Sequence, residues 1–352
     1  MIDITAPVNN LGYGIASFNI IKTLNTMGVP VKYHPIGQPE DLPESEFLQD
    51  LIERKSSIKS SASVKIWHQN DIHHHVGKKL HVGFPIFELD RFNDQEQYSI
   101  NQNDRIFVCS QWAKQIVLNN SNISDSNIFV VPLGVDTDLF QPFISGRPQT
   151  VFFNCGKWEI RKGHDVLIEC FNEAFDHDDP VELWMMCENP FYSPEMQQQW
   201  TALCKNSKLG NKIRLIPRQM THAGVYNLMK QVTCGVFPSR AEGWNLELLE
   251  AMACGKPVIA TNYSAHTEFC NESNCRLIEI DHNEIANDGF WFNGQGSWAH
   301  IGDSQKQQLI DHMKIIHTQK QSGVLSQNMD GIETAKKFSW KNSAKKFLKG
   351  LE

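Results

Sequence analysis

The chain has 352 residues, a length that favours two domains over one. Lysine and arginine total 33 and aspartate and glutamate total 40, so the formal charge of −7 does not indicate a strong polyanion binder. With 41% hydrophobic and 21% charged residues, the composition excludes a disordered chain, a collagen-like repeat and a disulfide-stapled miniprotein.

The cysteines and the first residues bear on the cellular compartment. None of the nine cysteines belongs to a C-x-x-C pair, so we expect reduced and mostly buried thiols. The opening MIDITAPVNN lacks the basic and apolar regions of a signal peptide, and no segment has 18 uninterrupted apolar residues. We therefore expect a soluble, cytoplasmic protein without integral membrane contact.

Short β-branched runs alternate with helical patterns along the whole chain, which predicts βαβ units and parallel sheets. In the first half, strands are predicted at residues 2–5, 63–67, 80–84, 105–109 and 128–132, and helices at 15–27 and 111–119. In the second half, strands are predicted at 151–154, 181–187, 212–217, 234–238 and 257–261, and helices at 164–175, 193–205, 224–230 and 245–254.

These patterns predict an α/β protein with two doubly wound domains that face a cleft, the first at 1–145 and the second at 146–333. An amphipathic helix at 334–352 is expected to pack back on the first domain. Residues 288–302 are rich in glycine and tryptophan without a period, and we interpret them as a loop excursion. Ligands of such sheets bind beyond the carboxyl ends of strands, so functional residues should follow strands.

Glycines follow the first predicted strand, where Gly12 and Gly14 open the first helix. Glycine lets the backbone approach an anion, and a helix N-terminus offers N–H groups to phosphate. The pair lacks the third glycine of a dinucleotide fingerprint, and an ordinary tight turn remains an alternative.

Cations follow the first strand of the second predicted domain. Lys157, Arg161 and Lys162 precede Gly163 and a helix, a position at which a phosphate would meet positive charges and backbone amides. The alternative is a solvated charge cluster.

The segment FPSRAEGWNLELLEAMACGKPVIATN, residues 237–262, is the most specific feature. Glu242 follows a strand and Gly243 allows a sharp turn, while Glu250 lies on the second turn of the next helix. Carboxylates in these places can both accept hydrogen bonds from a sugar-like diol. Glu247 is expected to be a solvated charge.

With its trailing EAMACGKPVI, this E-x7-E segment resembles the signature of retaining GT-B glycosyltransferases, the glycosyl transferases group 1 that include glycogen-synthase-like and mannosyltransferase-like enzymes. The resemblance extends to SQWAKQ at 110–115, VPLGVDTDLF at 131–140, GKWEIRKG at 156–163 and FSWKNSAKKFL at 338–348. It implies a GT-B fold of two Rossmann-like domains, the first on the acceptor side and the second binding the nucleotide-sugar.

Residue by residue, the resemblance implies that Glu250 holds the ribose of a nucleotide-sugar donor and Glu242 its sugar. Lys157 and Lys162 would neutralise the donor diphosphate. The remaining implied donor contacts are Gly12, Gly14, Arg161, Gly243, Trp244, Asn245 and Leu246. For Trp244, packing in the protein core is a strong alternative to a donor contact.

Two departures from the family pattern affect this transfer. Asn245 replaces a common glycine, which leaves the local amide geometry open. Phe87 and Glu88 stand where many relatives have a histidine after a strand, so that histidine's role is not transferred. His68, which closes a strand, and Glu88 remain candidates for an acceptor or sugar pocket.

No metal site is predicted. The run His73, His74 and His75 could suggest one, but adjacent residues converge on an ion only if the loop is contorted. Asp136 and Asp138 spell the D-x-D of metal-dependent GT-A enzymes, but in this linker we interpret them as turn residues.

These features predict a metal-independent glycosyltransferase without a resident cofactor, which moves a sugar from a nucleoside-diphosphate sugar to a hydroxyl acceptor, and the resemblance implies retention at the anomeric carbon. A hydroxylated base in nucleic acid stays open as acceptor but is disfavoured by the acidic charge. A non-catalytic nucleotide-sugar-binding protein is the second alternative. A nicotinamide oxidoreductase is disfavoured because no acidic ribose partner follows Gly14.

Overall fold

The computed structural model describes residues 1–40, 42–55, 61–77 and 79–352. The chain forms two compact units, which are described separately. The first unit is Met1–Gly134 together with Phe338–Glu352, and the second unit is Val135–Lys337.

The first unit contains a six-stranded parallel sheet with the strand order β2-β1-β3-β4-β5-β6. Its strands are β1 (Ile2–Ala6), β2 (Val31–Pro35), β3 (Ala62–Ile66), β4 (Leu80–Phe84), β5 (Arg105–Val108) and β6 (Ile128–Val130). Its helices are α1 (Gly12–Thr26), α2 (Phe47–Glu53), α3 (Asp94–Asn101) and α4 (Gln111–Asn120).

The second unit repeats this architecture with the strand order β12-β11-β10-β7-β8-β9. Its strands are β7 (Thr150–Cys155), β8 (Val181–Met186), β9 (Ile213–Leu215), β10 (Cys234–Phe237), β11 (Val258–Thr261) and β12 (Arg276–Ile278). Its helices are α5 (His164–Ala174), α6 (Pro194–Lys205), α7 (His222–Met229), α8 (Leu246–Ala253), α9 (Asp303–Gln321) and α10 (Met329–Lys337). Short 3₁₀ helices in the two units are Gln69–Asp71, Asp125–Asn127, Ile160–Lys162, Gly210–Lys212 and Ser264–Glu268.

The strands form where the sequence offers continuous apolar runs, because both faces of a parallel sheet are covered by helices. All six residues of β7, TVFFNC, are buried, and Phe152 packs against Phe171 and Phe175 of the α5 region. The predicted α/β class with doubly wound parallel sheets is therefore confirmed. The cysteine prediction is also confirmed, since all nine are buried free thiols.

The prediction of a loop at residues 288–302 was wrong for residues 293–299, whereas residues 288–292 do form a loop. Strands β13 (Asn283–Asn287) and β14 (Asn293–Ala299) form an antiparallel hairpin, and α9 begins soon after it. Asn and Gly interrupt any apolar alternation here, so the sequence pattern of a strand is absent. Trp298 and Ala299, at the end of β14, are nevertheless buried.

The closing segment also differs from the prediction of one helix. It divides into α10 and α11 (Trp340–Lys349), because the Ser339 side chain accepts a hydrogen bond from Asn342 N and starts a new helix. In the first unit, α11 packs on α1, and Arg105 donates a hydrogen bond to Gly350 O at 2.6 Å.

The division between the units falls after Gly134, whereas the sequence analysis placed it at 145/146. The connecting residues hydrogen-bond to the second unit: Phe143 N donates to Cys254 O at 3.1 Å and the Ser145 hydroxyl donates to Gln231 O at 2.8 Å. Among the helices of the described part of the chain, none is long and apolar enough to cross a membrane.

Candidate active site

A buried group of charges lies beyond the carboxyl ends of β7 and β10. The 3₁₀ helix that follows β7 carries Arg161 and Lys162, and the loop after β10 carries Glu242. Lys162 Nζ lies 2.9 Å from Glu242 Oε1, and Arg161 Nη1 lies 2.9 Å from Glu242 Oε2. The Ser239 hydroxyl donates a third hydrogen bond to Oε1, at 2.8 Å. The two motifs are therefore brought together around one carboxylate.

The neighbouring charges keep this carboxylate ionised. Burial alone would raise the pKa of Glu242, but the positive charges of Lys162 and Arg161 outweigh burial and hold the pKa well below its usual range. Burial would lower the pKa of Lys162, yet the Glu242 carboxylate raises it overall. Both groups are therefore charged at neutral pH.

A second carboxylate completes the charge group. Glu159 accepts two hydrogen bonds from Arg161, at 3.0 and 2.6 Å, and its other oxygen lies 3.0 Å from Lys157 Nζ. Arg161 also donates to Ala241 O at 2.7 Å. Arg161 is 4% exposed, so we interpret this predicted donor contact as a positioning residue beneath the site. Lys157 lies nearer the surface, with 34% of its side chain exposed.

Two glycines allow these loops to meet. A Cβ at Gly163, where φ is +69°, would lie 2.1 Å from Pro238 O, so the loop after β10 rests directly on this residue. A Cβ at Gly156 would lie 2.9 Å from Lys162 Cδ and would obstruct the path of the lysine side chain. The glycines at both ends of the GKWEIRKG motif are therefore needed to bring Lys162 to Glu242.

The start of α8 explains the departure at Asn245. This residue has φ +86°, a left-handed conformation that glycine adopts most easily and asparagine tolerates. Its Oδ1 accepts from Leu248 N at 3.1 Å and caps α8, and its Nδ2 lies 3.0 Å from His266 Nε2. The backbone conformation that glycine would favour at this position is thus present, and Asn245 adds a helix cap.

His266 is buried and behaves as a neutral support for this loop. Burial lowers the pKa of His266, and its Nδ1 lies 3.0 Å from Thr261 O, which requires a proton on Nδ1. Nε2 is then the acceptor for the Asn245 amide. The Ser264 hydroxyl accepts from Glu242 N at 2.8 Å and fixes the backbone of the carboxylate.

Glu250 lies on the second turn of α8, and its partner was not identified from the sequence. His222 at the start of α7 approaches it, with Nδ1 3.5 Å from Glu250 Oε1. Burial would lower the pKa of His222, but hydrogen bonding to the Glu250 carboxylate and its charge raise the pKa overall. The pair orients Glu250 when His222 is protonated.

Glu247 is half-buried rather than the solvated charge expected from the sequence. Burial raises its pKa, the positive charge of Lys162 opposes the shift, and the carboxylate of Glu250 adds to it. The predicted residues Trp244 and Leu246 are buried, and the Trp244 ring packs 4.9 Å from that of Phe269. This agrees with the packing interpretation of Trp244.

In the first unit, Gly12 opens α1 and Gly14 is buried against Asn9. Tyr13 between them reaches two strand ends: its hydroxyl hydrogen-bonds to Ile86 after β4, with Ile86 O at 2.6 Å and Ile86 N at 2.8 Å, and lies 3.2 Å from Trp67 O after β3. Its ring lies 4.7 Å from that of the exposed His68. The half-buried Glu88 contributes negative charge near Tyr13, whose pKa is raised mainly by burial.

Two of the three consecutive histidines, His73 and His74, lie close together with a carboxylate, whereas His75 does not belong to this group. Ligand atoms of Asp71, His73 and His74 lie within 4.8 Å of one another, so two adjacent histidines do converge with a carboxylate. Asp71 already contacts Lys65 at 3.0 Å and is hydrogen-bonded to His74. These three residues could hold a metal ion, whereas His75 hydrogen-bonds to Asn103.

The D-x-D segment forms a turn that the Asp136 side chain stabilises. Asp136 Oδ1 accepts hydrogen bonds from the backbone N–H groups of Asp138 and Leu139, at 3.0 and 3.2 Å. One carboxylate oxygen is therefore engaged in closing the turn.

Sequence analysis missed Arg240, which links the site to the hairpin. Its guanidinium forms a bidentate pair with Asp165 at 3.0 and 3.1 Å, and its carbonyl accepts from Ala299 N at 2.9 Å. It also missed Ser239, Ser264 and His222. Arg240 and Ser239 lie inside the motif and could have been suspected, whereas the distant His222 and Ser264 left no local signal.

Comparison with known proteins gives the family and the fold of the chain. The family Glycosyl transferases group 1 matches residues 149–288, which lie in the second unit. An uncharacterized glycosyltransferase of Methanocaldococcus jannaschii is 30% identical over 247 residues, covering 69% of this chain and 58% of that protein. A D-inositol 3-phosphate glycosyltransferase of Catenulispora acidiphila is 30% identical over 146 residues, covering 38% of this chain and 35% of that protein.

The chain spans between about a third and three fifths of the length of these curated relatives. Among solved structures, sucrose-phosphate synthase from Thermosynechococcus elongatus has a TM-score of 0.70 at 14% identity, covering 99% of this chain and 97% of that one. Anabaena HepE in complex with UDP-glucose has a TM-score of 0.68 at 14% identity, covering 99% and 98%. The chain therefore belongs to the group 1 glycosyl transferases and has the GT-B fold.

The pair of His222 and Glu250 makes stability depend on pH. Because the folded-state pKa of His222 is raised, its contribution is fully present below about pH 6.5, the ordinary histidine pKa, and is lost as pH rises through the raised value. We expect His222→Gln to lower the thermal midpoint at pH 5.5 and to lower it less at pH 8.5. The exposed histidine variant His177→Gln is the control, and a His222→Gln effect that is equal at both pH values would refute the pair.

Proposed function

We propose that this member of the group 1 glycosyl transferases moves a sugar from a nucleoside-diphosphate sugar to a hydroxyl group, with retention at the anomeric carbon. One observation carries the proposal. Two buried carboxylates eight residues apart, Glu242 and Glu250, accompany a group of cations beyond the carboxyl ends of β7 and β10. Open parallel sheets bind their ligands at this edge.

Each carboxylate has a distinct task in the proposal. Glu250 accepts hydrogen bonds from the ribose hydroxyls, and His222, when protonated, would hold it in orientation. An ionised carboxylate has about four acceptor positions, and Lys162, Ser239 and Arg161 occupy three on Glu242. One position remains to accept a hydroxyl of the donor sugar.

The leaving diphosphate requires positive charge. Lys157 and Lys162 would supply it together with N–H groups of the first turn of α8, which a helix leaves without intrahelical partners. When the bond to the anomeric carbon breaks, its electron pair goes to the diphosphate oxygen. The oxygen of the acceptor hydroxyl forms the new bond to the anomeric carbon, and its proton passes to the departing diphosphate. Stabilising the departing diphosphate therefore lowers the barrier.

The similar proteins support the proposal at the level of chemistry. HepE was solved in complex with UDP-glucose, and the Catenulispora relative is named as a transferase for an inositol phosphate. UDP and UDP-glucose are therefore the first donor probes for this chain, and hydroxyl compounds are the acceptor class.

Removing Glu250 tests the proposed ribose contact. We expect Glu250→Ala to raise the dissociation constant of UDP by roughly 10- to 100-fold, since a hydrogen bond to a charged group contributes about 1.5–3 kcal/mol. Isothermal titration of UDP measures this, with Glu272→Ala, an exposed carboxylate, as control. UDP affinity that is equal in Glu250→Ala and wild type would contradict the role, and UDP binding without any sugar transfer would favour a non-catalytic binder.

The proposal also predicts metal independence. Because Lys157, Lys162 and helix amides would already balance the diphosphate, we expect EDTA to leave most of the transfer activity intact. We also expect Asp136→Asn combined with Asp138→Asn to leave UDP affinity within about twofold, because Asp136 closes a turn. Loss of transfer in EDTA that manganese or magnesium restores would overturn the role given to the lysines.

A further inference from the structure

Three exposed aromatic side chains and one half-buried side chain, Tyr192, form a group on the second unit. Phe191 and Tyr192 lie in the loop after β8, and Phe290 and Trp291 form the tip of the β13–β14 hairpin. The rings of Phe191 and Trp291 are 6.0 Å apart, those of Tyr192 and Phe290 are 5.3 Å apart, and those of Phe290 and Trp291 are 4.6 Å apart. All three contacts are nearly perpendicular. We name these four residues the aromatic platform.

The platform is exposed although it is large and apolar. Phe191, Phe290 and Trp291 are 52%, 42% and 46% exposed. A contiguous apolar patch of this kind costs free energy in water and commonly marks a binding surface. Its occupant should therefore be a molecule with an apolar face.

Polar contacts hold both segments in this exposed arrangement. Asp288 Oδ1 accepts hydrogen bonds from the backbone N–H groups of Phe290, Trp291 and Phe292, at 2.9, 2.8 and 2.9 Å. Asn189 Oδ1 accepts from Phe191 N at 3.1 Å, and the buried Asn189 Nδ2 donates to Trp158 O at 2.9 Å. The platform is thus built by its turns and is not an accidental cluster of loop residues.

The platform adjoins the proposed donor site. Lys157 Nζ, which pairs with Glu159 inside the charge group, lies 5.3 Å from the centre of the Phe191 ring. At the other end of the hairpin, Glu284 accepts from Trp298 Nε1 at 3.0 Å and lies 3.6 Å from Arg240 Nε. Arg240 stands two residues before Glu242. The base of the hairpin therefore contacts Arg240 beside the site. The tip of the hairpin contacts Phe191, whose ring lies beside Lys157.

The charges around the platform limit what it can bind. Glu188 and Asp288, the only charged residues in the two segments 187–193 and 287–292, are both acidic. Lys157, the cation beside the platform, is already paired with Glu159, so these surroundings do not attract an anionic lipid surface or a nucleic acid. The exposed Glu188 carboxylate can accept hydrogen bonds from hydroxyls, whereas Asp288 Oδ1 is engaged by backbone N–H groups. A neutral sugar ring satisfies both features, since one face presents C–H groups to an aromatic ring and its edge presents hydroxyls.

We infer that the aromatic platform binds a neutral pyranose ring of a carbohydrate acceptor, at a distance along the acceptor from the hydroxyl that receives the sugar. The inference rests on the proposed function and names the acceptor class for it. It predicts that the acceptor is an oligosaccharide or a glycoside, since one sugar ring occupies the platform while another part of the acceptor presents the reacting hydroxyl.

A glycan array tests this inference. The labelled protein, saturated with UDP, is applied to neutral glucans, mannans, galactans and chitin fragments. We expect wild type to bind a subset, and Trp291→Ala and Phe191→Ala to weaken that binding about tenfold or more. The control is Phe143→Ala, which removes a ring of matching exposure, 45%, outside the platform and should bind as wild type does.

Three results would overturn the inference: no neutral glycan bound by wild type, binding unaffected in both platform variants, or platform-dependent binding to vesicles of phosphatidylcholine and phosphatidylglycerol instead. UDP titration of the same proteins separates this inference from the proposed function. Unchanged UDP affinity in the variants shows that they fold and leaves the donor site standing. Absence of UDP and UDP-glucose binding in wild type would count against the proposed function itself.

Discussion

The architecture of the site depends on one buried carboxylate, that of Glu242, and the two cations paired with it. A buried charge without a partner is strongly unfavourable, so Lys162 and Arg161 must be delivered to within about 3 Å of it. Two glycines that are separated in the GKWEIRKG motif make this approach possible. Gly163 lets the loop after β10 rest on the 3₁₀ helix, and Gly156 clears the path of the lysine.

The balance of charges connects this constraint to chemistry. Three cations, Lys157, Arg161 and Lys162, face two carboxylates, Glu159 and Glu242, so the group keeps one net positive charge. In our proposal a diphosphate adds the missing negative charge at the exposed side, where Lys157 lies. The same pairs explain why Arg161 is a support: its donors are directed to Glu159, Ala241 and Glu242.

The sequence predicted the parallel sheets well because their strands are continuous apolar runs, as in β7 and β10. It predicted that Lys162 and the E-x7-E segment lie at the edge of a sheet because both follow strands, and the family resemblance implied that both contact one donor. It could not predict that Lys162 contacts Glu242 directly, since nothing in either motif specifies the path of a lysine side chain past Gly156. The partner of Glu250 was equally hidden, because His222 starts a helix 28 residues earlier in the chain. The β13–β14 hairpin was missed for another reason. Its strands lack an alternating apolar pattern, and Glu284 instead contacts Arg240 and accepts a hydrogen bond from Trp298.

A double-mutant cycle on Lys162 and Glu242 tests the central claim most directly. The free energy of unfolding is measured by urea denaturation for wild type, Lys162→Met, Glu242→Gln and the double variant. If the two side chains form one ionic unit, the double variant loses less stability than the sum of the single variants, with a coupling of about 1–3 kcal/mol. Losses that add to within about 0.5 kcal/mol would contradict the account, because Glu242 would then not depend on Lys162.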